Sequence, residues 1–434
     1  MIDQHFQTMF SMALGISEPW YISDVAMQQS EKDPSRMEMR IKVDFREGSK
    51  FPYPGEAEAV SVYDTHEKTW RHINFFQYRC YITARVPRVK LSNGKIKTVE
   101  VPWGRVGSGF TLMMEGVLLT LMKHMSVSSV AKEVGEHDTK LWRVLDYHVT
   151  EALKGQDFSD VTGIGVDEYS HKGHKYITVF VSHPDIIIDD KGNRKYGQTP
   201  RVLFVTEGKD KAAVERFLAR FKEKKGIVEN VKVSTSDMVH GFRNAVKEHF
   251  PNAVTTVDKF HVISNCEAAL DNVRRREASC REKRKYEKLA KTKYLWLKNK
   301  DNLTEVQKKR LEELLEVEYL DTVKAYDMKL RLQGFYSTHD SYDEGLCCDF
   351  EDLVLSLCNC AIHEINKLGK MLARNAVEIL NYFETKRTNA ILEGFNSKIS
   401  IIKNRARGFR NMNNFINMIY FCCGNLSVPF VSIM

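Results

Sequence analysis

The sequence predicts a multidomain α+β protein. An α/β core is interrupted by a large helical insertion and preceded by a small β-rich module and a three-helix unit. Three observations predict this. Residues 51–104 alternate apolar and polar side chains with a period of two. Residues 105–155 change to helical spacing. Strands return from 156, stop near 264, and give way to helix over 265–380. With 434 residues, 43% of them hydrophobic and 28% charged, the chain is long enough for several domains and too apolar to be disordered.

Residues 1–50 open on the apolar, helix-like "HFQTMFSMALGI" and then read as charged and irregular. "FPYPGEAEAV" is a Pro/Gly loop. "VSVYDTHEKTWRHINFFQYRCYITARVPRVKL" and "GKIKTVEVPW" alternate as strands do, and Asn93-Gly94 supplies a hairpin turn. In 105–155, "SGFTLMMEGVLLTLMKHM", "SVSSVAKEVG" and "HDTKLWRVLDYHVTEAL" predict three helices, with Gly135 as a turn and Asp138 as a cap. A short second helix followed by a glycine turn fits a helix-turn-helix. The third helix would then present Lys140, Arg143 and His148 to a DNA groove. A three-helix unit that binds no DNA has the same pattern.

From 156 the chain is α/β. "VTGIGVDEY" and "HKYITVFVSH" form a hairpin pair, and "TPRVLFVTEG" is a third strand. "KAAVERFLARFKEK" is an amphipathic helix with Val214, Phe217, Leu218 and Phe221 on one face. "VENVKVSTSD" is a fourth strand ending at Asp237, "GFRNAVKEHF" a helix, and "AVTTVDKFHVI" a fifth strand. Three strands in hairpin order, then helix-strand-helix-strand, is the ribonuclease H arrangement. Residues 381–434, after the insertion, would supply the last part of the core and a C-terminal tail.

In that arrangement the first and fourth strands are parallel neighbours. Asp167 ends one and Asp237 the other, so the two carboxylates emerge side by side. They repel unless one is protonated or cations lie between them. Hard divalent ions prefer such oxygen ligands. Two ions at one site activate an attacking oxygen and stabilise a leaving one in phosphoryl transfer. Glu393, in "RTNAILEGFNSKI", is the candidate for a helix-borne third acid. Asp258 is a rival, placed with His261 in a supporting role. The strand tip alone does not choose between Asp167 and Glu168; the partner acids select Asp167. Each residue also has a plainer reading: a turn acid, a helix cap for Asp237, a surface acid, a structural histidine.

The formal net charge of +8 is local. Residues 271–300 hold 12 Lys and Arg against 4 Asp and Glu. Arg274, Arg275, Arg276, Lys283, Arg284 and Lys285 are therefore candidate phosphate contacts, as are Arg405, Arg407 and Arg410 after Glu393. A solvated helix face is the plain alternative. Trp296 suits the core or stacking on an unpaired base. His171 and His174, on the hairpin turn, suit DNA contact better than zinc. The nine cysteines include no C-x-x-C pair, which points to free thiols in a reducing compartment. Cys347, Cys348, Cys358, Cys360 and His363 match no zinc spacing and read as helix packing. No secretory signal opens the chain. The apolar C-terminal run is broken by Asn417, Gly424 and Asn425, which argues for packing and against a membrane span.

Three blocks, "GVDEYSHKGHKYITVF", "STSDMVHGFRNAVKEHFPNAVTTVDKFHVI" and "TKRTNAILEGFNSKISIIKNRARGFRN", together resemble the catalytic blocks of bacterial ISL-three insertion-sequence transposases. The likeness extends to "YDTHEKTWRHINFFQYRCYITARVPRV", "VPWGRVGSGFTLMMEG" and "LWLKNKDNLTEVQKKRLEEL", and so covers about 50–420. It implies a DDE transposase with Asp167, Asp237 and Glu393 as catalytic and metal-binding residues. It implies two Mg2+ or Mn2+ ions per site. The implied partners are double-stranded DNA, as terminal inverted repeats and as target. The implied assembly is a homo-oligomer, a dimer on paired ends, in the bacterial cytoplasm and on the nucleoid when DNA-bound. One departure stands out. Many members carry a zinc module opening with C-x-x-C, where this chain has Phe51, Pro52, Tyr53 and Pro54, with Leu91 further on. Such side chains cannot ligate zinc, so none is predicted there. A catalytically silent, domesticated DNA-binding regulator is the alternative, and a missing acid would be its mark. A structure-selective nuclease is a third reading.

Overall fold

The computed structural model describes residues 4–31, 33–172, 175–191, 193–208, 210–236, 240–279, 289–317 and 320–430. The chain forms two compact units. One comprises Met1–Lys154, Lys403–Cys422 and Leu426–Met434; the other comprises Gly155–Ile402 and Cys423–Asn425.

The first unit opens with α1 (Gln4–Leu14), β1 (Trp20–Gln29), β2 (Met37–Phe45), β3 (Lys50–Phe51), β4 (Val60–Phe75), β5 (Tyr78–Lys90) and β6 (Ile96–Thr98). Its sheet runs β1-β2-β5-β4-β3, with β6 paired to β5. Residues 20–45 are thus two antiparallel strands where the sequence suggested irregular chain, and β2 joins β5 in parallel. Met39, Ile41, Val43 and Phe45 point inward. The intervening Arg40, Lys42 and Asp44 gave the segment its irregular, charged appearance. Trp20, Phe45, Phe51 and Leu91 are buried in the module's apolar core, and Tyr53 packs against it. Trp20 meets Trp103 edge-on at 5.1 Å and Phe51 at 5.5 Å. This segment is held by aromatic burial.

The same unit contains α2 (Leu112–His124), α3 (Val127–Val134) and α4 (Asp138–Lys154). Thr111 caps α2 by accepting from Met114 N, and Ser126 caps α3 by accepting from Ser129 N. Gly135 ends α3 at φ +68°, the left-handed conformation that closes a helix before a tight turn. The chain returns at its end. In α15 (Met412–Cys423), Asn417 Nδ2 donates to Asp146 Oδ1 at 2.8 Å, and Phe409 packs edge-on against Trp142. Residues 403–422 therefore pack with the helix-turn-helix unit, in the stretch that the sequence reading gave to the last part of the core and a C-terminal tail.

The second unit is built on β7 (Gly163–Lys172), β8 (Lys175–Ser182), β11 (Val202–Glu207), β12 (Val233–Ser236) and β13 (Val254–Thr256), in the order β11-β8-β7-β12-β13. β11, β8 and β7 are antiparallel neighbours. β12 runs parallel to both β7 and β13. A side hairpin, β9 (Ile186–Ile188) with β10 (Arg194–Tyr196), leaves the end of β8. α5 (Lys211–Glu223) buries Val214, Phe217 and Phe221 on the sheet, and Phe217 stacks on Phe180 at 4.2 Å. α6 (His240–His249) follows β12.

The helical region has its own core. It contains α7 (Lys259–Ala278), α8 (Lys293–Leu297), α9 (Glu305–Leu315), α10 (Asp321–Thr338), α11 (Glu344–Cys358), α12 (His363–Arg374) and α13 (Ala376–Thr385). Its buried polar groups act as caps. Glu277 accepts from the backbone N of Asp321 and Thr322 at the start of α10. Lys329 donates to the carbonyls of Trp296 and Leu297 at the end of α8 and pairs with Glu267 at 3.2 Å. α14 (Ala390–Arg405) then brings the chain back to the sheet. Among the described residues no helix is long and apolar enough to cross a membrane.

Candidate active site

β7 places Val166 in the core and Asp167 half-buried after it. The parallel register of β12 on β7 ends with Ser236 opposite Val166. Each of these residues immediately precedes an acid in the sequence, Asp237 and Asp167. Asp237 itself lies outside the described residues.

α14 docks on β7 through a close approach. A Cβ on Gly165 would lie 3.1 Å from Leu392 Cδ1 and 2.9 Å from Val181 Cγ2, so only glycine leaves room there. The next turn of α14 carries Asn396, whose Nδ2 donates to Asp167 Oδ2. Asp167 Oδ1 accepts from the backbone N of Glu168 at 2.7 Å. Glu393 is exposed one helical turn before Asn396, on the same helix face. Tyr169 and Ser400 hydroxyls meet at 3.2 Å further along the two elements.

The segment leading into α14 is strapped to the sheet. Asp258 is 1% exposed and accepts from Phe260 N at 2.9 Å and Asn389 N at 2.6 Å. It joins the end of β13 to the start of α14. Its neighbour His261 is half-buried, and that residue's backbone N donates to Asp258 O. Arg387 donates to Pro184 O and to Asp185 Oδ1, both at 2.7 Å. His183 Nε2 meets Thr388 O at 3.1 Å, and burial pushes that imidazole's pKa down. Asn396, Asn389, Arg387 and His183 escaped the sequence reading. The asparagines at 389, just before α14, and 396, within it, flank Glu393 and were the available signal.

Asp167 and Glu393 offer oxygen donors suited to a hard divalent ion. Among the described residues no group of three or more His, Cys, Asp or Glu side chains gathers to hold a metal; Asp237 is not among them.

The basic candidates separate by exposure. Arg143 and Arg275 are exposed. Lys140 is exposed and pairs with Glu136 at 2.8 Å. His148 is not a groove contact: it is buried, with Nε2 2.7 Å from Glu115 Oε2. Glu115 is fully buried and also takes Arg105 Nε at 3.0 Å. Burial alone would raise its pKa, but hydrogen bonds from His148, Ser108 and Arg105 outweigh that and hold it below the ordinary 4.5. Arg274 is likewise corrected: it is buried, bonded to Asp271 at 2.7 Å and to Leu289 O. Arg276 binds Glu364 and Asp321. Arg405 donates to Lys123 O at 2.8 Å, while Arg407 and Arg410 are exposed. Lys283, Arg284, Lys285 and His174 lie outside the described residues, as does the side chain of His171. Trp296 is fully buried and bonded to Thr292, so it is core. Cys347, Cys358 and Cys360 pack against the helical core.

Comparison with known proteins adds the following. The DDE transposase model of the ISL3 family, described as a transposase, matches residues 164–419. A model of the helix-turn-helix domain of the same transposase family matches 99–149. The chain is similar to the transposase for insertion sequence element IS1001 of Bordetella parapertussis. The two are 26% identical over 370 residues, covering 83% of this chain and 85% of that protein. It is similar also to the transposase for insertion sequence element IS1557 of Mycobacterium tuberculosis. That pair is 24% identical over 438 aligned positions, covering 93% of this chain and 92% of the relative.

Proposed function

Since this chain belongs to the ISL3 family of transposases, we propose that it cuts and joins DNA at the ends of an insertion sequence through a DDE triad. The triad is Asp167, Asp237 and Glu393, on a ribonuclease H-like sheet. The observation that carries the triad is the clasp of Asp167 by Asn396. It brings the face of α14 that bears Glu393 to the middle of β7, where Asp167 sits; the strand continues past Asp167 to Lys172 and does not end at it as the sequence suggested. The β12 register, ending at Ser236 opposite Val166, supports Asp237 as the neighbouring acid.

Asp167, Asp237 and Glu393 would hold Mg2+ or Mn2+. The ions supply charge stabilisation and an activated oxygen for in-line displacement at phosphorus. Asn396 and the Glu168 amide orient Asp167, leaving its carboxylate fixed before DNA arrives. Exposed Glu393 closes the site from the helix side. The helix-turn-helix binds the terminal inverted repeats, with Arg143 on α4 facing the groove. Arg275, Arg407 and Arg410 contact phosphates. Two copies pair two ends as a homodimer.

The test uses the full chain, Mg2+ or Mn2+, and DNA carrying the inverted repeats that flank its gene. Nicking at the repeat ends and joining to target DNA are expected. Wild-type protein that binds these ends but neither nicks nor joins them overturns the enzymatic reading. Biological activity that survives Asp167→Asn, Asp237→Asn and Glu393→Gln would establish the regulator instead.

A further inference from the structure

Trp296, the aromatic residue of the insertion that suits base stacking by sequence, is sealed in the core. An exposed aromatic ring, backed by partly and fully buried ones, stands elsewhere in the same helical region. Phe260, in the first turn of α7, is 55% exposed. Tyr382 and Phe383 close α13, and Tyr336 of α10 stacks on Phe383 at 5.5 Å and 11°. Two ammonium groups lie over these rings. Lys259 Nζ is 5.5 Å from the Phe260 centroid and 5.6 Å from that of Tyr382. Lys386 Nζ is 5.6 Å from Tyr382 and 5.2 Å from Phe383.

A groove of about 740 Å³ opens beside these rings, walled by Lys259, Phe260, Ile263, Lys300 and Tyr336. Its acids are Asp301 and Glu267, and Glu267 is already paired with Lys329. The groove is also tied to the candidate active site. Asp258, the cap of the helix that carries Phe260, holds the amide of Asn389 at the root of α14. Lys386 precedes Glu393 on that same returning segment.

We propose that this groove binds an unpaired nucleotide of the DNA strand being processed. Phe260 stacks on the base, and Lys259, Lys300 and Lys386 face its phosphates. This rests on the transposase reading and extends it. Aromatic faces recognise bases regardless of sequence, and cations beside them neutralise the backbone. Paired bases inside a duplex cannot offer their faces, so the occupant must be unstacked. Behind the groove Tyr336 stacks on Phe383 of the helical core, which makes that wall rigid before binding.

The experiment uses the full chain in EDTA and a roughly 12-nucleotide oligo(dT) strand with a central 2-aminopurine, beside a duplex of equal length. The wild type is expected to quench the 2-aminopurine. Phe260→Ala and Phe260→Leu should both remove the quench and weaken single-strand binding about tenfold or more, because leucine keeps the apolarity and loses the ring. Lys259→Ala and Lys386→Ala should each lower the salt dependence of single-strand binding. Duplex affinity should not move. Retention of quenching in Phe260→Leu, or equal loss of duplex and single-strand binding in Phe260→Ala, overturns the proposal. Protein that cleaves its end DNA yet binds the strand independently of Phe260 refutes the groove alone. Phe260-dependent binding without any cleavage refutes the enzymatic reading alone.

Discussion

Asn396 on α14 donates a hydrogen bond to the carboxylate of Asp167 on β7 across 229 residues of sequence. The helical insertion occupies much of that interval, so the bond closes the core around it. The same helix carries Glu393 one turn earlier, which makes the bond a gauge of how the two acids are held together.

Removing the clasp should loosen the site without dissolving it. Asn396→Ala is expected to reduce DNA nicking about 10- to 100-fold, the usual cost of losing a partner that orients a metal-binding carboxylate. End binding should be unchanged in a gel-shift assay. Full nicking activity in this variant would show that Asp167 needs no orientation from α14.

The acids should behave differently. Asp167→Asn, Asp237→Asn and Glu393→Gln are each expected to abolish nicking and joining while leaving end binding intact. Glu168→Gln should retain activity, since the substitution keeps the Glu168 backbone amide that donates to Asp167. Cleavage by Asp237→Asn would remove that residue from the triad.

Helix docking depends on Gly165. Gly165→Ala places a methyl group within 3.1 Å of Leu392 Cδ1 and 2.9 Å of Val181 Cγ2. A loss of about 1–3 kcal/mol is expected from overpacking. Leu392→Ala in the same chain should recover part of the nicking rate that Gly165→Ala removes. Denaturant unfolding of the single and double variants reads the coupling.

Two residues of α4 should separate binding from folding. Arg143→Ala is expected to weaken end-DNA binding and to reduce the salt slope by about 1, with stability unchanged. His148→Ala strips a hydrogen bond from buried Glu115 and should cost about 1–3 kcal/mol of stability. Its salt slope should stay that of the wild type.

The first unit should be sensitive to acid through His72. Burial, with Arg71 adding to it, pushes this imidazole from 6.5 down to about 4, and its Nδ1 lies 2.9 Å from Thr111 Oγ1. Between those values the unfolded chain binds the proton and the folded chain does not. The stabilisation is complete above 6.5 and is lost as pH falls towards 4, by up to about 3 kcal/mol. His72→Gln should flatten the melting temperature across that window. An unchanged slope would place the acid sensitivity elsewhere.

Much of this protein was legible in one dimension, for local reasons. Helix-turn-helix boundaries follow from Thr111, Ser126 and Gly135, whose capping roles depend only on nearby residues. Apart from the side hairpin of β9 and β10, the order of strands and helices from 163 to 256 follows from side-chain periodicity, which each element displays by itself. The strands at 20–45 were hidden because β1 shows no strict alternation, the outward residues of β2 are charged, and the second partner of β2, β5, lies far along the chain. The roles of His148 and Arg274 were misread for a related reason. A basic side chain on a helix looks the same in sequence whether it faces solvent or a buried carboxylate.

By itself the sequence determined most of the helices and strands from 105 onward. The family likeness was also carried by linear blocks, "GVDEYSHKGHKYITVF" among them. Tertiary structure decided what those elements meet. It set Asn396 against Asp167, Leu392 over Gly165, and Asp258 under Asn389. It sent residues 403–422 to the helix-turn-helix unit and sealed Trp296 while leaving Phe260 open. These are contacts between residues far apart in the chain. They depend on shape and desolvation at the point of meeting, which periodicity and composition do not encode.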